Sequence, residues 1–358
     1  MKKKAIILGI ESSCDETAAS LITENEQGIP VVLSNVISSQ TEVHKKFGGV
    51  VPELAARAHI EKIDWIVQKA IDESGKKIED IDAIASTAGP GLIVCLSVGL
   101  SFGKAFASSL NKPFIAVNHL EGHALSPKLN SKLDYPYLLL LISGGHSQFL
   151  NVQNLGKYKR LGTTIDDALG EAFDKTAKLL GIEFPGGPQI EILAKRGDPN
   201  KYVLPKPIFN KGGCNLSFAG LKTAVLKITK NIKTDQEKFD LAASFQKTVE
   251  EILYKKTKIA FTEFEKQNSL KEKIFVIAGG VAANKNIRSM LTDLCNEQNY
   301  QSIFPPIELC GDNAAMIAMV GLEKFKLKKF SNLDHPAKPR WALDENAAFL
   351  KGAGVNLN

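Results

Sequence analysis

Short, continuously apolar runs recur along this 358-residue chain, each ending in small or hydroxyl residues and followed by a longer segment with helical spacing. Strands buried on both faces read as unbroken apolar runs, and alternating them with helices demands a largely parallel sheet covered by helices. Residues 5–10 and 29–38 read as strands, with a turn at 24–28 between them. Pro52 opens a helix in which Leu54, Ala58, Ile63, Ile66, Val67, Ala70 and Ile71 keep the 3.6 period. A strand at 81–86 runs to the break Gly89-Pro90-Gly91. A helix over 92–110, a strand over 114–117 and a helix carrying His119 and His123 complete this half.

The same order of strand, hairpin and crossover helix begins again after Pro136. Residues 137–142 form an apolar strand, 148–152 and the segment after Gly156 are antiparallel strands, and 166–180 has helical spacing. Residues 201–213, rich in Pro, Gly and Lys, read as a loop. Helices near 218–228 and 239–265 lead to a strand at 274–278, a helix from Asn284, a strand near Ile303 and a last helix from Asp312 to Lys326. The echo is architectural, with no repeat in the residues themselves. It predicts an α/β protein of two lobes with an interlobe cleft, where ligands tend to sit. The first lobe takes residues 1–128 completed by 310–345, the second takes 129–309, and 346–358 is a tail.

Composition narrows the class. With 44% hydrophobic and 23% charged residues the chain is an ordinary globular sequence, so disordered, collagenous and coiled-coil readings fall away. Five scattered cysteines without Cys-x-x-Cys indicate neither a disulfide framework nor a zinc ribbon. The apolar run behind the N-terminal lysines is too short for a signal peptide, and Glu11, Asp15 and Glu16 follow it. The low-charge stretch 89–110 contains Lys104, serines and glycines and reads as a buried helix rather than a membrane span. These features predict a reduced, cytoplasmic protein with no membrane partner. The formal charge of +6 permits a nucleic-acid partner without demanding one.

The sharpest chemical constellation is Asn118-His119-Leu120-Glu121-Gly122-His123. Histidines at i and i+4 share a helix face, which is metal-ligand spacing, although the glutamate position departs from His-Glu-x-x-His. By spacing alone, a metal site and a merely polar helix N-terminus are equally open. Asp312 in Cys310-Gly311-Asp312-Asn313-Ala314 is the best third ligand, and equally a residue suited to capping the helix it precedes. Two histidines and an aspartate suit one divalent ion acting as Lewis acid, Fe²⁺ first and Zn²⁺ as the alternative.

Three small-residue loops follow strands: residues 11–17, Ser143-Gly144-Gly145-His146-Ser147 and Gly279-Gly280-Val281-Ala282-Ala283-Asn284. Glycine lets backbone N–H groups approach a phosphate, so three such loops together favour nucleotide binding, while Gly-x-Gly-x-x-Gly and the P-loop motif are missing. Asp167 and Glu171 read as a solvated face. Asp174, ahead of Pro185-Gly186-Gly187-Pro188, is placed to serve a rigid loop that holds a ribose or base. Lysines cluster at 2–4, 227–233, 255–258 and 324–329, mostly as solvated faces.

Together these stretches resemble the bacterial tRNA N6-adenosine threonylcarbamoyltransferases, of the actin/Hsp70/sugar-kinase-like superfamily with ribonuclease-H-like lobes. The resemblance spans nearly the whole chain in order. It runs through residues 10–17, 48–53 with Arg57 and His59, 118–123, 143–146, 170–175, 185–188, 217–225, 279–284, 312–318 and Arg340-Trp341. Departures are small: Ala219, Ala282 and Gly311 stand where the family often has a hydroxyl residue, and Ser147 where it often has threonine. Ile142 replaces a tyrosine of the archaeal and eukaryotic relatives.

The resemblance implies transfer of a threonylcarbamoyl group from threonylcarbamoyl-AMP to N6 of the adenosine 3′-adjacent to the anticodon, in tRNAs reading codons that begin with A. It places metal ligands at His119, His123 and Asp312. Substrate contacts fall at Ile142, Ser143, Gly144, Gly145, His146, Asp174, Gly187 and Asn284. Glu11 is the candidate base, a metal-bound water the alternative. Implied partners are tRNA, an inactive paralogue forming a heterodimer, a P-loop ATPase subunit and an upstream threonylcarbamoyl-AMP synthase; the apolar faces of the helices at 53–73 and 92–110 read equally as the heterodimer surface or as plain core. The rivals are a metallopeptidase, a self-contained ATPase or sugar kinase, and a nucleotide-gated scaffold.

Overall fold

The apolar run behind the N-terminal lysines forms the central strand of a sheet. In the computed structural model, which describes residues 4–269 and 272–348, β1 (Ile7–Glu11) lies between β2 (Glu16–Glu24) and β4 (Ala83–Gly89). With β3 (Pro30–Ser39) and β5 (Phe114–Asn118) the order is β3-β2-β1-β4-β5, β1 pairing antiparallel with β2 and parallel with β4. Lys2, Lys3 and residues 349–358 of the expected tail lie outside the described residues.

β2 is a strand that apolar continuity misses. Only residues 12–15 turn; from Glu16 the chain pairs with β3 and from Ala18 with β1 as well. Its buried polar groups find partners on the covering helix and the neighbouring strand, Thr17 Oγ1 at 2.7 Å from His59 Nδ1 of the helix begun at Pro52 and Ser20 Oγ donating to Ser34 O (2.6 Å) of β3, so a hydroxyl-rich segment sits in the core at little cost.

Alternation on β1 decides how the sheet is covered. Leu8 and Ile10 join one buried cluster with Ile63, Ile66 and Val67 of α2 (Pro52–Glu73) and Leu100 of α3 (Ile93–Ser109), behind the short α1 (Thr41–Lys45). α4 (His119–Leu125) follows β5 directly and is buried along its length. Among the described residues no helix is long and apolar enough to cross a membrane, and the five cysteines are free thiols.

A second sheet has the order β10-β9-β6-β7-β8, built from β6 (Tyr137–Ile142), β7 (Ser147–Asn154), β8 (Lys157–Thr163), β9 (Ile274–Ala278) and β10 (Gln301–Ile303). Its helices are α5 (Leu169–Leu179), α6 (Gly186–Ala194), α7 (Ala219–Thr229), α8 (Asp235–Glu265) and α9 (Lys285–Glu297). Residues 186–188, read from sequence as loop, begin α6. A Cβ on Gly186 would meet Ala177 Cβ at 2.3 Å, so the glycine marks close helix packing rather than a break. α8 starts earlier than its apolar period indicates, because Thr234 and Glu237 form a reciprocal capping box ahead of it.

The last helix, α10 (Ala314–Lys326), returns to the first sheet and packs on β1, β2 and β4. A Cβ on Gly9 would meet Ala314 O at 2.4 Å, so β1 and α10 touch through their backbones. The described residues divide into two compact units, 4–133 with Pro305–Glu345, and Asp134–Phe304 with 346–348.

Candidate metal centre and glycine loops

His119 and Asp312 each stand beside an asparagine that does the capping. Asn118 Oδ1 accepts from the amides of Leu120 (2.9 Å) and Glu121 (3.4 Å), satisfying the N-terminus of α4 and leaving His119 and His123 uncommitted to it. Asn313 Oδ1 accepts from Met316 N (3.0 Å) and caps α10. The helix-cap explanation for Asp312 therefore fails: its carboxylate points instead at the histidines.

Asp312 Oδ1 lies 3.4 Å from His119 Nε2 and 3.2 Å from His123 Nε2. One ligand atom from each of the three residues lies within 4.8 Å of the others. Ligands about 2.1 Å from a tetrahedral ion are separated by roughly 3.4 Å, so this donor set fits a divalent cation. Behind it, Glu11 Oε2 is 3.1 Å from His119 Nδ1, which leaves Nε2 to face Asp312. Glu11 is itself held by Thr87 Oγ1 (2.6 Å) and the Ser13 amide (2.5 Å). Glu121, midway between the histidines, faces α10, where its Oε2 pairs with Lys324 Nζ at 2.9 Å.

The electrostatics are those of one imidazole between two carboxylates. Burial would favour neutral His119, but Asp312 and Glu11 outweigh it and hold its pKa well above 6.5. Burial likewise opposes the charge on Asp312, and the two imidazoles overcome it, keeping that carboxyl far below the ordinary aspartate range.

In the second unit, Ile142 ends β6 beside Ala278, the last residue of β9, because Leu141 pairs with Ala278 in parallel register. The loop that follows closes on itself: Ser143 N donates to His146 O (2.8 Å) and His146 N donates to Ser143 Oγ (3.2 Å). Gly279 has φ +95°, and a Cβ there would meet Ile142 O at 2.4 Å, which presses the two strand-end loops together. Gly144, Gly145 and Gly280 face open space. This is an exposed backbone edge at the carboxyl ends of parallel strands, a usual place for anionic ligands.

Asp174 Oδ1 accepts from Gly186 N (2.8 Å) and ties α5 to the start of α6, where Gly187 lies near Phe173. Asn284 caps α9 through Ile287 N (3.0 Å), and its Nδ2 donates to Gln246 Oε1 (3.0 Å). Asp167 is not on a solvated face: it bridges Lys175 (3.2 Å) and Lys222 (2.9 Å). Thr87 and Gln246 carry no local signal in the sequence, and Lys324 shows there only as part of a lysine cluster. They reach their partners from other elements, and only the folded chain exposes them.

The profile of the TsaD family, tRNA N6-adenosine threonylcarbamoyltransferase, matches residues 31–319. The tRNA N6-adenosine threonylcarbamoyltransferase of Pelagibacter ubique (strain HTCC1062) is 80% identical over 357 residues, covering 100% of both chains. That of Rickettsia rickettsii (strain Sheila Smith) is 54% identical over 95% of this chain and 98% of its own. Among solved structures, HypF of T. kodakarensis superposes with TM-score 0.62 at 14% identity, covering 94% of this chain and 50% of that one, a likeness of fold. The rival readings account for none of this full-length identity, and the chain belongs to the tRNA N6-adenosine threonylcarbamoyltransferase family of tRNA-modifying transferases.

Proposed function

We propose that the chain transfers the threonylcarbamoyl group of threonylcarbamoyl-AMP to N6 of the adenosine 3′-adjacent to the anticodon in tRNAs reading codons that begin with A. The observation that carries this reading is the convergence of His119, His123 and Asp312 within a chain of this family. The N6 amine attacks the carbamoyl carbon. A C–N bond forms, the bond to the phosphate oxygen breaks, AMP leaves with the electron pair and the amine releases a proton.

His119, His123 and Asp312 would hold the ion, Fe²⁺ with Zn²⁺ as the alternative, and it would supply Lewis-acid polarisation of the donor's oxygens. The remaining work falls to protein groups. Ile142, Ser143, Gly144, Gly145 and His146 present backbone to the donor's phosphate, and Asp174, Gly187 and Asn284 serve its nucleoside. Positioning accounts for much of the rate, since the mixed anhydride already carries a good leaving group. Glu11, whose oxygens are occupied by Ser13, Thr87 and His119, acts as the orienting partner of His119 rather than as base.

The enzyme works in the cytoplasm with an inactive paralogue, a P-loop ATPase subunit and an upstream threonylcarbamoyl-AMP synthase. The heterodimer surface is the outer side of α2 and α3, where Ile60, Trp65, Ile93 and Val94 are exposed, 64% in the case of Ile60.

The test is mass spectrometry of tRNA nucleosides after incubating the protein, its partner subunits, unmodified tRNA, threonine, bicarbonate and ATP, beside a His119→Ala control. N6-threonylcarbamoyladenosine from the native chain alone supports transfer and metal site together. Product from both defeats the metal assignment, and product from neither defeats the transfer.

A further inference from the structure

Residues 201–213 contain no regular element, and they lie against α8 so that loop and helix share a groove of about 610 Å³. Four lysines line it, Lys206 from the loop and Lys247, Lys255 and Lys258 from the helix, around the rings of Phe209 and Tyr254. The rings hold the ammonium groups in place: Lys255 Nζ is 4.1 Å and Lys206 Nζ 5.3 Å from the Phe209 centroid, and Lys258 Nζ is 5.4 Å from that of Tyr254.

Two glutamates share the groove, and neither neutralises the helix lysines. Glu251 pairs with Lys206. Glu250 accepts from Gln246 Nε2 (2.8 Å), and burial pushes its carboxyl up. Among the described residues no carboxylate pairs with Lys247, Lys255 or Lys258. Lys247 donates to Asn200 Oδ1 (2.5 Å) and Lys255 to Asn210 Oδ1 (2.8 Å), both neutral acceptors. A polyanion can therefore take these cations without breaking an ion pair. From Lys247 to Lys258 the helix rises about 16 Å, enough to meet several successive phosphates and too long for one small anion.

We propose that this groove docks the sugar–phosphate backbone of the tRNA substrate; the proposal rests on the reading above that tRNA is the acceptor. The interaction is electrostatic and independent of base sequence, so the groove contributes affinity and register rather than choice of adenosine.

The full-length chain carrying Lys247→Gln, Lys255→Gln and Lys258→Gln tests it, beside a Lys76→Gln/Lys77→Gln control on the other unit. Affinity for an unmodified tRNA transcript is measured over a salt series, and KM and kcat in the reconstituted transfer assay. The triple variant is expected to bind about tenfold or more weakly near physiological salt. Its plot of log affinity against log salt should be shallower by about 0.7–0.9 for each phosphate that no longer meets a lysine. KM for tRNA should rise with kcat held, and the control should match wild type. If the triple variant unfolds more readily than wild type, Lys258→Gln alone, an exposed side chain, should still make the slope shallower by about 0.7–0.9.

Unchanged slope and KM in a chain that makes modified adenosine would overturn the groove and leave the acceptor reading intact. Failed assembly with partner subunits at unchanged tRNA affinity would overturn it in favour of a protein interface. A wild-type chain that neither binds nor modifies tRNA would remove the acceptor reading and the groove with it.

Discussion

Glu11 Oε2 sits 3.1 Å from His119 Nδ1, and this contact turns the opposite nitrogen of the ring toward Asp312. Partners of this kind set both the orientation and the basicity of a ligating imidazole, and losing one typically lowers metal affinity about 10–100-fold. Glu11→Ala should weaken Co²⁺ or Zn²⁺ binding to metal-free protein by that factor while the His123–Asp312 half of the site persists. Isothermal titration of the ion reads it directly. Equal affinity in variant and wild type would show that Glu11 does not orient the ring.

A second pairing ties the helix that bears both histidines to the helix that follows Asp312. Glu121 of α4 and Lys324 of α10 pair at 2.9 Å with little solvent access, and Lys324 also donates to Ala116 O (3.3 Å). Lys324→Met removes the ammonium facing a buried carboxylate, which should cost about 3 kcal/mol in chemical denaturation. Adding Glu121→Gln should recover part of the loss. A double variant no more stable than Lys324→Met would mean that the buried charge was not the cause.

What the sequence discloses follows from how locally each feature is encoded. The strand over 137–142 and the helix beginning at Pro52 are visible because their own apolar pattern determines them. β2 is hidden because Thr17 and Ser20 satisfy their hydroxyls against His59 of α2 and the Ser34 carbonyl of β3, partners that only the folded chain supplies. His119 and His123 can be nominated from spacing and Asp312 from its place where a loop meets an apolar helix, yet cap and ligand are indistinguishable for Asp312 until Asn313 is seen taking the cap. Thr87, which holds Glu11 across 76 residues of chain, has no signature at all.

Metal binding should be strongly pH-dependent, and its sign follows from His119. In the metal-free protein the neighbouring carboxylates overcome burial and keep this imidazole protonated well above 6.5, so an incoming ion must displace a proton. Affinity should therefore climb as pH rises through and beyond the ordinary histidine range. The same raised pKa makes the stability contributed by His119 in metal-free protein complete below about pH 6.5 and lost as pH rises through the folded value. Zn²⁺ titrations and metal-free thermal melts from pH 6 to 9 should thus trend in opposite directions. A flat affinity profile over that interval would contradict a protonated His119.

Asp312 and Asn313 are adjacent and should fail in different ways. Asn313 Oδ1 satisfies Met316 N at the start of α10, so Asn313→Ala should cost about 1 kcal/mol of stability with all three proposed ligands still present. Asp312→Ala leaves that cap in place and removes the oxygen on which both Nε2 atoms converge, so ion binding and transfer should be lost together while α10 remains folded. Circular dichroism melts beside metal analysis separate the two effects. If Asp312→Ala retained a stoichiometric ion through gel filtration, the carboxylate would not be a ligand, and the site would reduce to the histidine pair on α4.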